Sequence, residues 1–286
     1  MMELAGHTFR ELASLIHDET GIALGADKSY LVRHRLEPLV RSEGLENFEA
    51  LVQRLRMRAA NRLRSAVIDA ITVKETRFFR DHAFFEGLRR HVLPECASKL
   101  EKPSSGTQRV RMWSAASSTG QEACSLAMLV REFTQESAAN RARESQFSIL
   151  ASDISVEAIE LAKAGSYSKS DVDRGLSEER LKTHFRHSGA RWRFDESLSK
   201  LIHFRTFNLL NSPAELGPFD LILCRNVMIY FDEKTRLRVC RGLYAALHPG
   251  GWLALGSAES LYGMQERFET VAIGKNVLYR KPQRGG

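Results

Sequence analysis

The stretch from Arg109 to Met128, RVRMWSAASSTGQEACSLAM, constrains this chain more than any other. Val110, Met112 and Trp113 form a short apolar run that reads as a buried strand. Small residues follow from Ser114 to Gly120, and a helical pattern begins at Gln121. A strand, a tight small-residue turn and a helix N-terminus make a site for a nucleotide-like ligand. Backbone N–H groups converge there, and small side chains let a ligand approach the main chain. The prediction is an α/β sheet with this turn at the carboxyl end of a strand. The turn is not the dinucleotide glycine fingerprint. Only Gly120 of the expected glycines is present, with Ala116 and Ser118 where the others would sit.

The next apolar segment, Phe147 to Ile154, ends in Asp153, about one βαβ unit further on. A carboxylate there accepts hydrogen bonds from a ribose 2′- and 3′-hydroxyl pair. That layout serves a nicotinamide dinucleotide or S-adenosylmethionine. Glu122 lies just inside the helix. A carboxylate there repels a pyrophosphate but suits a cationic methionyl ammonium and sulfonium, which favours S-adenosylmethionine. Acids are also common in first helical turns because of the helix dipole, so Glu122 alone does not decide the matter.

Bulk properties set the outer limits. The 286 residues suffice for one large or two ordinary domains. No run of roughly 18 apolar residues exists, so no transmembrane helix is expected. The first residues carry early acids and no signal-peptide core, and the four cysteines (Cys96, Cys124, Cys224, Cys240) show no metal spacing. The expectation is a cytoplasmic protein with reduced cysteines and no metal. A net charge of +7 and a pI near 9.4 point to an acidic partner.

Residues 1–72 read as an all-helical domain. Phe9, Leu12 and Ile16 share a face, and Gly21 stops the first helix. Asp27 is the expected cap of a second helix with Val32, Leu36, Leu39 and Val40 inward, and Asn47 of a third with Leu51, Val52 and Leu55 inward. Leu63, Val67, Ala70 and Ile71 mark a fourth. Arg33, His34, Arg35 and Arg41 fall on the second helix, and Arg54, Arg56, Arg58, Arg62 and Arg64 follow with no acid between them. Such a run is either a solvated face or a docking surface for an acidic partner. No aromatic residues interleave it, so base stacking is not indicated.

Residues 73–90 form a linker, Thr72 to Arg80, and the start of a helix with Asp81 as its expected cap and Phe84, Phe85, Leu88 and Val92 inward. Residues 91–286 carry the α/β pattern. The segment 101–108 is a polar loop. Residues 166–207 do not fit a plain crossover. A short helix after Ser177, an alternating run to Phe194 and a strand from Leu201 to Phe207 suggest an insertion with a small antiparallel sheet. Phe219 to Cys224 is a strand that emerges into Arg225 and Asn226, at the edge where open sheets bind ligands. A helix follows from Asp232 to Ala246, a tight turn at His248 to Gly251, a strand from Trp252 to Gly256 and a hairpin-like pair from Phe268 to Arg280.

Over nearly its whole length the chain resembles the chemotaxis receptor methyltransferases of the CheR type. The markers are Thr76 with Phe78-Phe79-Arg80, Trp113 to Glu122, Ala151-Ser-Asp153, Asn208-Leu-Leu210, and Phe219-Asp through Cys224-Arg-Asn-Val-Met-Ile-Tyr-Phe231. The resemblance implies a Rossmann-like S-adenosylmethionine-dependent domain, an all-helical N-terminal domain and a small inserted β-subdomain. It implies methylation of glutamate side chains on chemoreceptor cytoplasmic helices. It also implies that Glu122 holds the methionyl ammonium and Asp153 the ribose. Asn208, Leu209, Arg225 and Asn226 would line the adenosine and methionyl portions, while Thr76 and Arg80 close the site. Arg80 and Tyr230 are the candidates for holding the incoming carboxylate. Lys74 stands where the family usually has Asn, and is expected to turn its ammonium outward or meet an acid. Some relatives tether to a receptor's C-terminal pentapeptide. The short turn at His187 to Arg191 predicts no such dependence.

A glutamate is ionised at neutral pH and attacks a sulfonium methyl with no proton to remove, so no general base is expected. A nucleic-acid methyltransferase is disfavoured, because Arg225-Asn-Val-Met replaces the Asn/Asp-Pro-Pro-aromatic run and no Pro-Cys nucleophile is present. Two other readings remain at this point: a non-catalytic S-adenosylmethionine-binding module on receptor arrays, and a methyltransferase for another acidic substrate.

Overall fold

The computed structural model describes residues 2–57, 59–101, 109–136, 142–264 and 267–283. Arg58 and most of the polar loop, residues 102–108, lie outside the described residues. Four helices open the chain: α1 (Gly6–Thr20), α2 (Ser29–Ser42), α3 (Phe48–Arg56) and α4 (Asn61–Ile71). Their apolar stripes close on one another in a single cluster centred on Leu12, Leu36 and Leu51, all fully buried. Gly21 ends α1 in the left-handed region (φ 76°), with its N–H on the His17 carbonyl at 2.7 Å. Asn47 caps α3 by accepting from the Ala50 N–H at 2.8 Å. Asp27 does not cap α2. It sits inside a short 3-10 turn, Ala26–Lys28, and pairs with Lys28 at 3.1 Å.

Past the linker, α5 (His82–Gly87) runs through a π turn, Leu88–Val92, into α6 (Leu93–Ser98). Asp81 stands at the N-cap position of α5, but its side chain makes no capping hydrogen bond. It adopts a left-handed φ of 65°, and its carboxylate is taken by Arg225. The α/β part begins with β1 (Val110–Ala115), α7 (Gln121–Gln135), β2 (Phe147–Asp153) and α8 (Val156–Ala164). Next come β3 (Ser166–Tyr167), α9 (Lys169–Asp173), α10 (Glu178–His184), β4 (Phe185–Ser188), β5 (Arg191–Phe194) and α11 (Glu196–Ser199). Then follow β6 (Ile202–Thr206), β7 (Phe219–Cys224), α12 (Glu233–Ala245), β8 (Leu247–Leu255), β9 (Glu269–Ile273) and β10 (Asn276–Arg280).

Seven strands form one mixed sheet in the order β6-β2-β1-β7-β8-β10-β9. The first five are parallel, and β10 and β9 close the edge antiparallel. Helices cover both faces, which is why β7 is buried at every position and reads as an unbroken apolar run. Trp113 anchors the centre, fully buried, with its indole N–H on Ser152 Oγ at 2.9 Å.

Two sequence expectations change. The strand at Leu201 to Phe207 joins the large sheet beside β2, so the small sheet is only β3-β5-β4. The turn expected at His248 to Gly251 is absorbed into β8, which starts at Leu247 and pairs across an irregular register between Phe219 and Leu221.

The helical domain packs on the rim where the parallel strands end. Asp69 of α4 accepts from Ser155 Oγ at 2.6 Å and from the Glu157 N–H at 3.3 Å. Asn208 Nδ2 donates to the Glu19 carbonyl at 2.7 Å, the Ala23 N–H to the Tyr230 carbonyl at 2.8 Å, and His17 Nε2 lies 2.7 Å from Asp232 Oδ2.

Candidate functional site

The carboxyl ends of β1, β2 and β7 open into one cleft of about 1330 Å³, open mouth included. Its lining contains every residue singled out in the sequence: Thr76, Arg80, Glu122, Asp153, Asn208, Leu209, Arg225, Asn226 and Tyr230. In a parallel sheet the strand order brings such positions to one rim however far apart they lie in the chain.

The turn after β1 is built from left-handed backbone at Ala116 (φ 58°), Ser118 (φ 51°) and Gly120 (φ 93°). At Gly120 a β-carbon would also meet Ala162 Cβ at 3.0 Å, so α7 and α8 approach closely there. The Ser118 N–H donates to Asp153 Oδ2 at 2.8 Å and the Ser155 N–H to Oδ1 at 2.9 Å. Burial pushes the Asp153 carboxyl above its usual range, and these amide bonds oppose the shift. Ser117 Oγ is buried with no hydrogen-bond partner among the described residues.

Glu122 is a second carboxylate of the cleft, and Glu75, paired with Arg174, a third. The Glu122 Oε1 accepts from Ser114 Oγ at 2.7 Å, and its Oε2 lies 3.3 Å from Arg225 Nη1. Burial raises its pKa; the Arg225 charge, the Ser114 hydroxyl and the Arg80 charge pull it back. The charge of Arg225 is committed to the chain itself. Its side chain is only 2% exposed, pairs with Asp81, donates to the Arg80 carbonyl at 3.2 Å and lies 4.2 Å from the centre of the Phe84 ring. Arg225 therefore acts as a strut between β7 and the linker. Its Nε is buried and has no partner among the described residues.

Arg80 differs. It lines the cleft half-buried and makes no side-chain hydrogen bond or ion pair among the described residues. Thr76 and Tyr230 are half-buried in the same wall, with no side-chain hydrogen bond among the described residues. Asn208 is engaged at both ends, donating to Glu19 and accepting from the Leu210 N–H at 3.0 Å. Leu209 supplies apolar surface beside the buried cluster around Trp113. Asn226 has a left-handed φ of 59°, and its N–H donates to Glu259 Oε2 at 2.8 Å. Lys74 meets an acid: its ammonium pairs with Glu157 and donates to the Asp69 carbonyl at 2.9 Å. Only its carbonyl supports the site, accepting from Ser118 Oγ at 3.0 Å.

Sequence reasoning missed two contributions. Glu259, 9% exposed, accepts from the N–H groups of Asn226, Val227, Met228 and Gly256, at 2.7–2.9 Å, and so shapes the loop after β7. The available signal was an acid three residues past Gly256, the glycine that follows the last parallel strand. The second is a wall from the helical domain, where Thr20, Ile22, Leu24 and Leu31 line the cleft. Ile22 and Leu24 lie between helices, where no periodicity marks them.

The basic run divides. Arg56 pairs with Glu11 at 3.1 Å, Arg64 donates to the Leu55 carbonyl at 2.8 Å, and Arg35 donates to the Ile71 carbonyl at 2.6 Å. Arg33, Arg54 and Arg62 make no side-chain contact of this kind among the described residues, and the last two are exposed. Among the described residues no helix is long and apolar enough to cross a membrane.

The family described as "CheR methyltransferase, SAM binding domain" matches residues 74–277, and "CheR methyltransferase, all-alpha domain" matches residues 7–72. The chain is 38% identical to "Chemotaxis protein methyltransferase 1" of Pseudomonas aeruginosa, over 98% of this chain and 99% of that one. It is 37% identical to "Chemotaxis protein methyltransferase Cher2" of Pseudomonas putida, over 95% and 97%. With "Chemotaxis protein methyltransferase" of Escherichia coli it shares 33%, over 93% and 89%.

Proposed function

The chain belongs to the CheR methyltransferase family, and from that premise we propose that it methylates glutamate side chains on the cytoplasmic helices of chemoreceptors, using S-adenosylmethionine. The observation that carries this reading is the placement of two half-buried carboxylates, Glu122 and Asp153, in one cleft beside a turn whose Ser117 hydroxyl has no partner among the described residues. Two acids in one cleft suit a ligand with a cationic end and a diol, and the free hydroxyl offers a further hydrogen bond. Glu122 would hold the methionyl ammonium and Asp153 the ribose. Thr76, Asn208, Leu209, Arg225 and Asn226 would line the rest.

When bound, S-adenosylmethionine supplies a methyl group whose S–C bond breaks as a carboxylate O–C bond forms, the electron pair passing to sulfur. The protein's own task is orientation and charge. Arg80 holds the incoming carboxylate by charge-assisted hydrogen bonds, and Tyr230 flanks it. No side chain need accept a proton, because the acceptor is already ionised. Residues 73–90 close the site, and the helical domain, residues 1–72, docks the receptor through Arg33, Arg54 and Arg62. Transfer to receptor should then fall with added salt much more steeply than cofactor affinity does. The β4–β5 turn is short, and we read the chain as a cytoplasmic enzyme independent of a receptor pentapeptide. Micromolar pentapeptide binding by calorimetry would overturn that last point.

The deciding experiment is tritiated methyl transfer from S-adenosylmethionine to receptor cytoplasmic fragments, with mass spectrometry for glutamyl esters. Cofactor binding without transfer to any fragment refutes the enzyme reading. Arg80→Ala should lower turnover far more than it weakens S-adenosylhomocysteine binding. Unchanged turnover removes Arg80 from the mechanism.

A further inference from the structure

The linker residues on either side of Arg80 are held in sparsely populated backbone conformations: Phe79 at φ 45° and Asp81 at φ 65°. A non-glycine residue in the left-handed region persists only when its surroundings over-determine it. Asp81 is fixed by Arg225. Phe79 is fixed from another direction. Its N–H donates to Ser125 Oγ at 2.9 Å, and the Arg180 guanidinium covers its ring, 3.7 Å from the centroid. Arg180 belongs to α10, inside the segment that interrupts the large sheet. It is itself locked as a fork on Glu132 of α7, Nε to Oε1 at 2.7 Å and Nη2 to Oε2 at 2.8 Å.

The same insertion grips the preceding residue. Phe78 is fully buried, edge-on to Tyr167 of β3 and Phe185 of β4 at 4.9 and 5.4 Å. Gly175 lies so close that a β-carbon would sit 1.9 Å from the Phe78 carbonyl oxygen. Four parts of one insertion thus converge on two consecutive phenylalanines, directly before an arginine whose side chain makes no hydrogen bond or ion pair among the described residues.

We infer that the insertion clamps the Phe78–Asp81 segment, and that Arg180 is a positioning residue acting through the Phe79 ring to present Arg80 to the cleft. Its catalytic consequence rests on the methyl-transfer reading above; the clamp itself does not. In the full chain, Arg180→Met removes the fork and the cation and keeps similar bulk. Glu132→Gln loosens the fork from the other side and should act in the same direction with smaller size.

Hydrogen exchange read by mass spectrometry on the peptide spanning Phe78 to His82 should speed up about tenfold in Arg180→Met, with β1 and β7 unchanged. In the transfer assay kcat should fall roughly 10–100-fold while the Kd for S-adenosylhomocysteine stays within about threefold. Unaltered exchange in both variants overturns the clamp. Faster exchange with turnover unchanged, or with turnover and ligand affinity lost equally, overturns the positioning role. A wild-type chain that transfers no methyl group refutes the enzyme reading, and the exchange result still decides the clamp.

Discussion

Glu122→Gln is the perturbation that most directly probes the charge logic of the cleft. In the ligand-free chain burial holds the Glu122 carboxyl above its ordinary value of 4.5, with Arg225 and Ser114 only partly offsetting the cost. A cationic ammonium brought against Oε1 and Oε2 favours the ionised form, so binding lowers this pKa and releases a proton from any protonated fraction. The sign follows. Affinity is complete above the raised pKa, and is lost as pH falls through it, by up to about tenfold per pH unit. The glutamine variant keeps an acceptor for the Ser114 hydroxyl but loses a charged hydrogen bond worth about 1.5–3 kcal/mol, or roughly 10–150-fold in Kd. Its affinity should also be flat where the native chain's is sloped. The assay is calorimetric titration with S-adenosylhomocysteine from about pH 8 to about pH 5, with a thermal melt to show that the variant is folded. Other titrating groups are common to both chains and cancel in the difference. Equal affinities near neutral pH, or equal slopes below it, refute the assignment of Glu122.

Gly175→Ala should cost about 3 kcal/mol or more, because the new β-carbon would strike backbone rather than a movable side chain and φ is +102° there. An unchanged urea midpoint would refute the close approach to Phe78. Asp69→Ala should lower the urea midpoint by the equivalent of about 1–2 kcal/mol, since Ser155 Oγ and the Glu157 N–H lose their acceptor. A midpoint equal to wild type would show that this junction adds nothing. Burial pushes the thiols of Cys96, Cys124 and Cys240 up to about 12 and that of Cys224 higher than usual. None should react with a thiol reagent at about pH 8 until urea is added, and rapid labelling of the native chain would contradict that.

What the residue pattern discloses and what it hides have physical causes. Stripes at helical spacing disclosed α1 to α4, because burial of one face is written into periodicity. The site positions on β1, β2 and β7 were legible because a parallel sheet assigns its strand ends to one rim. Side-chain commitments were not legible. Asp27 and Asp81 look alike as helix starts, yet one pairs with its neighbour Lys28 and the other with Arg225, 144 positions away. That choice depends on tertiary geometry, which no local window contains. Gly250, at φ 74°, suggested a turn, but the β8 ladder takes it up as an irregularity. Asn208 was expected only to line the cleft, and its amide also holds the end of α1, a contact no local pattern announces.

That last contact, with its neighbours at Ala23 and His17, gives the two portions of the chain joint ownership of the binding chamber. Severing them would leave each with half a room. An ancestral exchange of one front portion for another, as in a chimaera, would have to carry along matching residues at 208, 230 and 232 or lose the chamber's fourth side. The front helices and the sheet are therefore bound to change together at this seam.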